Sequence, residues 1–435
     1  MSKMKKKNRH IGRKILFGFE IVVLILLVGG LFVYTQINKK MDRLNFNKMD
    51  AEQQEGEPAQ VEINESVSGS EVLSGYTNVA LFGINENNSD TIIIASINND
   101  SKEIKMVSLY RDTYLRVAED EDGNGIYNKC NSAYLRGGPV SAVSMLNTNL
   151  DLDIQNYVTV DFAALSKAVD CLGGLDVDLS YEEIVHTNNY CIGTSEQVEG
   201  AEYTPIEEPP VPEDQSKIIG NYHLNGIQVT SYCRIRKTAS MDMGRTQRQR
   251  YILNLMADKA KKSNLATLNK ILDEVFPMVE TNFSKSELIK LGSGLLSYKL
   301  EENTGFPLDY AMGAEVTKPV TGLDCLIPTT LATNVKYLHE YLFGDKDYIP
   351  SETVFTRSEF VADKTGFGNA SVPEASKYLI VEPSGDTGNG FTEEDYTGEE
   401  ENLYDAESQE NYELSVKHMR NAGNLLISRI PAFFV

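Results

Sequence analysis

Cysteines, bases and long apolar runs are all scarce in this 435-residue chain, and each shortage excludes something. The five cysteines, Cys130, Cys171, Cys191, Cys233 and Cys325, include no C-x-x-C pair, which argues against a structural zinc site and a disulfide-dense scaffold. Their apolar surroundings suit small core residues, with Cys171 and Cys191 the most local pairing if one disulfide forms. Bases number 41 against 63 acids. Nine of those bases fall in residues 1–40 beside a single acid, Glu20, so the other 395 residues carry 32 bases and 62 acids, a balance of −30. Affinity for nucleic acid comes from many Lys and Arg contacts with phosphates, and a body this acidic excludes it as a general partner. His186 and His223 have no readable Ser or Cys partner, so a His-activated nucleophile is not expected.

One apolar run is long enough to matter. Ile15 to Tyr34 is apolar apart from Glu20 and a few glycines, and its 20 residues span a hydrocarbon core of roughly 30 Å at about 1.5 Å per residue. Seven cations lie between Lys3 and Lys14, and no A-x-A-like cleavage site follows the run. The positive-inside rule then places the amino terminus in the cytoplasm and everything after about residue 40 outside the membrane. The expected order is a cytoplasmic basic segment (1–14), a transmembrane helix (15–34), an acidic extracytoplasmic stalk (35–75), a main domain (76–355) with a surface insertion at 186–220, and an acidic, partly disordered extension (356–435). The stalk and the extension rest on seven acids between Asp50 and Glu71 and twelve between Glu382 and Glu413, both without a base. A short helix over 413–427 closes the chain.

The main domain opens with three β-branched runs, at Asn78–Gly83, Thr91–Ile97 and Ile104–Leu109, joined by short turn-rich links that predict hairpins. In that up-down-up order Asn85, Asp90, Arg111 and Asp112 all come to one sheet edge. A polar loop, a helix from Pro139 to Leu150, a strand at 157–160, a helix at 163–172 stopped by Gly173 and Gly174, and a strand at 175–179 follow. The fold class is α/β, with three layers around a central mixed sheet.

Residues 228–249, QVTSYCRIRKTASMDMGRTQRQ, carry the chemistry. Alternation over 229–235 predicts a strand that puts Arg234 and Arg236 on one face. A helix from about Asp242 to Lys262 places Arg245, Arg248 and Gln249 in line with Ile252, Leu253 and Met256. Charges on a stripe that patterning would bury need an anionic partner. Arginines near strand ends, with carboxylates close by, fit a diphosphate because guanidinium groups pair with phosphate oxygens bidentately.

The order SDTI (89–92), RDT (111–113), NKCNSAYLRGGP (128–139), VDCLGGLDVD (169–178), HLNG (223–226) and YCRIRK followed by DMGRTQRQR resembles the LytR-CpsA-Psr family, and NVKYLHEYLFGDKDYIPSETV (334–354) is similar to its carboxy-terminal part. The resemblance implies an extracytoplasmic α/β/α enzyme that transfers a phosphate-linked glycopolymer, a teichoic acid or capsular polysaccharide, from a polyprenyl diphosphate carrier to peptidoglycan. It implies Mg2+ as cofactor, with Asp90 and Asn85 at the metal positions. Arg111, Arg234, Arg236, Arg245, Arg248 and Gln249 fall at or beside the diphosphate-binding positions. Asp242 matches the acid that serves as base or orients the acceptor hydroxyl, and with Arg111 makes the catalytic pair.

Asn85 departs from the family pattern, standing where an acid is common, and one or two arginines before SDT are missing. Asn can ligate through its carbonyl oxygen but brings no charge. Two classes therefore stay open: an active glycopolymer phosphotransferase, and a non-catalytic scaffold that binds prenyl diphosphate glycans.

Overall fold

The structure is a computed structural model describing residues 45–46, 60–85, 88–198, 201, 203–236, 241–294 and 297–368. The chain divides into two compact units, Met1–Gly385 and Asp386–Val435, and every described residue lies in the first. The expected membrane span at 15–34 and the helix at 413–427 lie outside the described residues. Among those described, no helix is long and apolar enough to cross a membrane.

The strands are β1 (Asn45–Phe46), β2 (Tyr76–Asn85), β3 (Asn88–Asn98), β4 (Glu103–Leu109), β5 (Tyr114–Glu119), β6 (Gly125–Lys129), β7 (Asn156–Val160), β8 (Leu175–Ser180), β9 (Ile218–Leu224), β10 (Glu280–Thr281) and β11 (Lys299–Phe306). The helices used below are α1 (Ser132–Leu150), α2 (Phe162–Cys171), α3 (Tyr181–Gln197), α4 (Gly226–Tyr232), α5 (Met241–Lys262), α6 (Leu331–Phe343) and α7 (Glu352–Thr365). A seven-stranded mixed sheet runs β1-β10-β7-β2-β3-β4-β11. Strands β2, β3 and β4 pair antiparallel, whereas β7 lies parallel to β2 and β11 parallel to β4.

The TIIIASI run explains the centre. Ile93 and Ile94 point to opposite faces, yet both are no more than 1% exposed, as a continuous apolar run requires of a strand covered on both sides. On one face Ile92 and Ile94 pack with Leu146 and Leu338, from α1 and α6. On the other, Ile93 and Met106 meet Leu253 of α5. Burying a Leu or Ile side chain contributes about 1.5–3 kcal/mol, so the sheet is held from both sides.

Several expected elements differ. Residues 229–235 are not a strand: Gly226–Tyr232 is helical and wholly buried, followed by a turn at Cys233–Arg234. A capping box starts it, with the Asn225 side chain accepting from Gln228 N and the Gln228 side chain accepting from Asn225 N. A Cβ at position 226 would sit 2.1 Å from Ser166 O, so only glycine lets α4 lie against α2. The polar alternation marked no solvent face, because every residue there is inside.

The insertion at 186–220 is smaller than expected. Helix α3 takes up its first part behind a second capping box, Ser180 with Glu183, and buries Ile184, Thr187, Cys191 and Thr194 at helical spacing. Thr and Cys disguise that stripe. Strand β9, paired antiparallel with β8, takes up the end. The polar loop after Arg111 is largely the β5–β6 hairpin, and the helix expected from Pro139 begins at Ser132, kinked at Gly137 and Gly138. The end of the acidic stalk also belongs to the core: Val67 and Leu73 are buried, and Val61 and Ile63 pack beside them while Glu62 and Glu65 face out. Helix α7 crosses the expected boundary at 356 and buries Val354 and Val361. All five cysteines are buried and none forms a disulfide, so Cys171 and Cys191 are not bridged.

Candidate diphosphate site

The edge formed by the ends of β2 and β4 and the start of β3 is built on a clamped turn. After β4, Thr113 returns its amide and hydroxyl to the Tyr110 carbonyl at 2.9 and 2.6 Å. The NKCN segment closes it from the other side: Cys130 N donates to Thr113 O, Asn131 N to Arg111 O, and the Cys130 thiol to Arg111 O. Arg111 is thus aimed by backbone on both flanks, and Gly83 paired with Thr91 and Ile93 with Ser108 bring Asp90 to the same edge.

Asp90 is where the arginines meet. Arg111 Nη1 and Arg236 Nη2 both contact Asp90 Oδ1, the second at 3.4 Å, and Arg245 Nη2 donates to the Asp90 main-chain oxygen at 3.0 Å. Asp112 lies 3.7 Å from Arg111 Nε and 3.4 Å from Lys129 Nζ. Three cations, Arg111, Arg236 and Lys129, therefore share two carboxylates in one patch, and Arg245 holds the backbone beside them. Arg245 is 2% exposed while Arg236 is 42% exposed, so the patch runs from a buried wall to an open mouth.

The other expected residues sit around this group. Arg234 takes partners other than those of Arg236, donating to Thr194 Oγ1 at 2.9 Å and lying 4.5 Å over the Phe162 ring. A helix and turn stand in place of the expected strand, so the two arginines do not share a strand face. Burial lowers the Arg234 pKa, and the charge of Asp90 acts in the opposite sense. Arg248 is a strut, bonded to Ile235 O at 2.7 Å and 3.5 Å from Glu183 Oε1. Gln249 Nε2 donates to Cys233 O at 3.3 Å, so both brace the 233–236 segment that presents Arg236. Asp242 lies in the first turn of α5, and its side chain is outside the described residues.

Asn85 ends β2 opposite Asn88, and among the described residues no hydrogen bond joins it to Asp90. No group of three or more His, Cys, Asp or Glu gathers among the described residues. Both arginine contacts fall on Asp90 Oδ1, so at the two expected metal positions, among the described residues, the donors are Asp90 Oδ2 and the neutral Asn85 carbonyl. That sparse set suits magnesium, which takes most of its ligands from phosphate and water.

Lys129, Glu183 and Arg250 were not expected at the site. Lys129 was legible, since it stands in the NKCN motif beside Arg111. Glu183 stands just before the expected insertion, in a stretch assigned no element, and the capping box with Ser180 was its signal. Arg250, 4% exposed, donates from Nε to Asn303 Oδ1 at 2.5 Å and ties α5 to β11, with burial lowering its pKa.

Comparison with known proteins now bears on this geometry. A curated relative, the polyisoprenyl-teichoic acid–peptidoglycan teichoic acid transferase TagV of Bacillus subtilis (strain 168), is 26% identical over 80% of this chain and 82% of its own. A TagU of the same description from Enterococcus faecalis is 28% identical over 64% of this chain and 80% of its own. Among solved structures, a Streptococcus agalactiae protein aligns with a TM-score of 0.50 at 21% identity, covering 65% of this chain and 93% of that one, which speaks to the fold alone. The LytR_cpsA_psr family model matches residues 33–310, well over half the sequence, and the chain belongs to that family.

Proposed function

We propose that the chain is a membrane-anchored, extracytoplasmic phosphotransferase that moves a phosphate-linked glycopolymer of the teichoic acid or capsular type from a polyprenyl diphosphate carrier to peptidoglycan. The observation that carries this reading is the gathering of Arg111, Arg236 and Arg245 on Asp90 at one sheet edge. The relatives named as teichoic acid transferases support it.

In this reaction an acceptor hydroxyl oxygen forms a bond to the glycan-side phosphorus. The bond from that phosphorus to the bridging oxygen breaks, polyprenyl phosphate leaves with the electron pair, and the hydroxyl proton passes to a base. Such transfers depend on placement and on neutralising charge more than on covalent help. Arg111, fixed by its turn, and Arg245, fixed by burial, hold the diphosphate in register. Arg236 closes on it from the open side, while Arg248 and Gln249 set the segment that carries Arg236. Asp242, on the first turn of α5, is the candidate base. Bound magnesium would add neutralisation of the phosphate oxygens, held by Asp90 and by Asn85.

The test is turnover by the full chain in detergent, with lipid-linked glycan, peptidoglycan and Mg2+. Release of polyprenyl phosphate with glycan joined to peptidoglycan, and its loss in Arg111→Ala, is the expected result. Turnover indifferent to that substitution would refute the assignment. The neutral Asn85 favours one other reading, a scaffold that holds prenyl diphosphate glycans, and tight binding without turnover would select it. The anchor at 15–34 is tested separately, by membrane fractionation of the full chain against one lacking residues 1–40.

A further inference from the structure

A groove of about 620 Å³ opens between the β5–β6 ribbon and helix α7, and its lining shares no residue with the Asp90 cluster. The ribbon contributes Arg116, Asn124 and Tyr127, and the helix contributes Glu352, Arg357 and Phe360. A volume of this size suits a small ligand, for which roughly 300–1,000 Å³ is usual.

Arg357 is the anomaly. It is 8% exposed, yet its hydrogen bond is to a neutral group, Thr148 Oγ1, at 2.9 Å from Nη1. Its Nε has no hydrogen-bond partner, and among the described residues no carboxylate lies within ion-pair distance of it. Burial first, and the neighbouring Arg116 charge second, bring its pKa down to about 10, with Glu62 and Glu119 acting in the opposite sense. A buried guanidinium facing a second guanidinium is costly unless an anion joins them. Arg116 is held against the ribbon because position 125 is glycine: a Cβ there would lie 2.7 Å from Arg116 Nε. Its one ion pair is to Glu119 at 2.5 Å, an acid 62% exposed at the rim.

The rest of the wall is aromatic. Tyr127 and Phe360 stack at 4.1 Å with 19° between planes, and Phe360 is 42% exposed, so the pair offers an edge and a face to whatever enters. A ring face beside a charged fork suits a sugar that carries an acid, the C–H face on the aromatic and the anion on the guanidiniums.

We propose that this groove is a second anion site, which takes a phosphate or carboxylate borne on a sugar ring. The assignment stands apart from the transferase reading, because it rests on Arg357, Arg116 and the stacked rings alone. The ribbon nevertheless links the two places. Arg116 pairs across it with Tyr127 and Tyr114 with Lys129, and side chains two apart on a strand share a face. Lys129, which reaches Asp112, and Tyr127 therefore lie on one side of the ribbon, successive steps about 7 Å apart.

Calorimetric titration of the full chain carrying Arg111→Ala, which disables the Asp90 cluster, tests the site with glucose 6-phosphate, galacturonate, inorganic phosphate and glucose. Binding of glucose 6-phosphate or galacturonate is expected, with roughly tenfold weakening on adding R116Q and a smaller loss on adding F360A. The phosphate and carboxylate arms show which acid is preferred, and glucose should bind far more weakly. Phe360 is exposed, so F360A serves if R116Q compromises folding, which the unfolding midpoint reports. Equal binding of glucose, no binding of either acid, or binding unchanged by both R116Q and F360A would overturn the proposal.

Discussion

Asp90 and Asp151 are carboxylates treated in opposite ways. Asp90 shares one oxygen between two guanidiniums at the rim of the sheet, inside a patch where cations outnumber acids. Asp151, fully buried after α1, is bonded by neutral donors: Asn64 Nδ2 at 2.6 Å, Ser351 N and Oγ at 2.7 and 2.6 Å, and the Tyr348 hydroxyl at 2.9 Å. The second arrangement ties residues 64, 151 and 348–351 together and leaves nothing for a ligand to add. The first, among the described residues, gathers more cations than carboxylates at an open edge, a setting that suits an incoming anion. Count of charges alone does not separate binding from architecture; the chemistry of the partners does.

The largest effect that sharpens this contrast is expected from Arg111→Ala. Turnover should fall about 100- to 1000-fold, the magnitude for losing one preorganised donor to a developing oxyanion, with little change in the unfolding midpoint. Asp151→Asn should do the reverse. It keeps the left-handed backbone that Asp151 adopts at φ 53°, but removes the charge and turns one of the two acceptor oxygens into a donor, and denaturant titration should show about 2–3 kcal/mol lost while the folded fraction binds diphosphate as before. If either variant moved both readouts together, the separation of the two regions would fail.

A smaller effect concerns His339, 2% exposed, stacked on Tyr348 at 3.6 Å and joined through Nε2 to the Leu150 carbonyl at 2.9 Å. Burial, the largest influence, lowers its pKa below the ordinary value, although Leu150 and Asp151 act against it. The unfolded chain then binds the proton first, so this contribution to stability is full above about pH 6.5 and is lost as pH falls from there through the lower folded value. The unfolding midpoint of the parent should drop more between pH 7.5 and 5 than that of His339→Gln. Equal slopes would show that the ring does not titrate. The smallest expected effect is none: with all five thiols buried and outside any disulfide, dithiothreitol should leave the midpoint where it is, and a shift would reveal a disulfide.

What was legible in the sequence divides along the same lines. The central strands could be read because TIIIASI and its neighbours are β-branched and too apolar for any surface, and the short links between them set the edge at which Asp90 and Arg111 converge. In the motif at 111–113 Arg111 was read as a ligand group and Cys130 of 128–131 as a small core residue, whereas Thr113 and Cys130 also act by holding the turn. The expected strand at 229–235 and the start of the expected insertion at 186 were misread for one reason: both fall on helices buried through Thr, Ser, Cys and Gln, so apolar periodicity was absent and the informative signals were the capping pairs Asn225/Gln228 and Ser180/Glu183. That error carried into the site, since a strand would have kept Arg234 and Arg236 together. Acidic composition misled in the same manner at 60–75, where Val61, Ile63 and Val67 pack inward between exposed acids.

Asp90 also governs which anions Arg111 and Arg236 will accept. Any ligand approaching them competes with a carboxylate already bonded to both, so the edge works as an ion exchanger in which selectivity is a difference between two affinities. A weak monoanion gains little by the exchange. On the proposed function, a diphosphate, with more charge and enough oxygens to engage Arg111, Arg236 and Arg245 at once, would displace the side chain and leave it able to hold a cation or to guide an incoming hydroxyl.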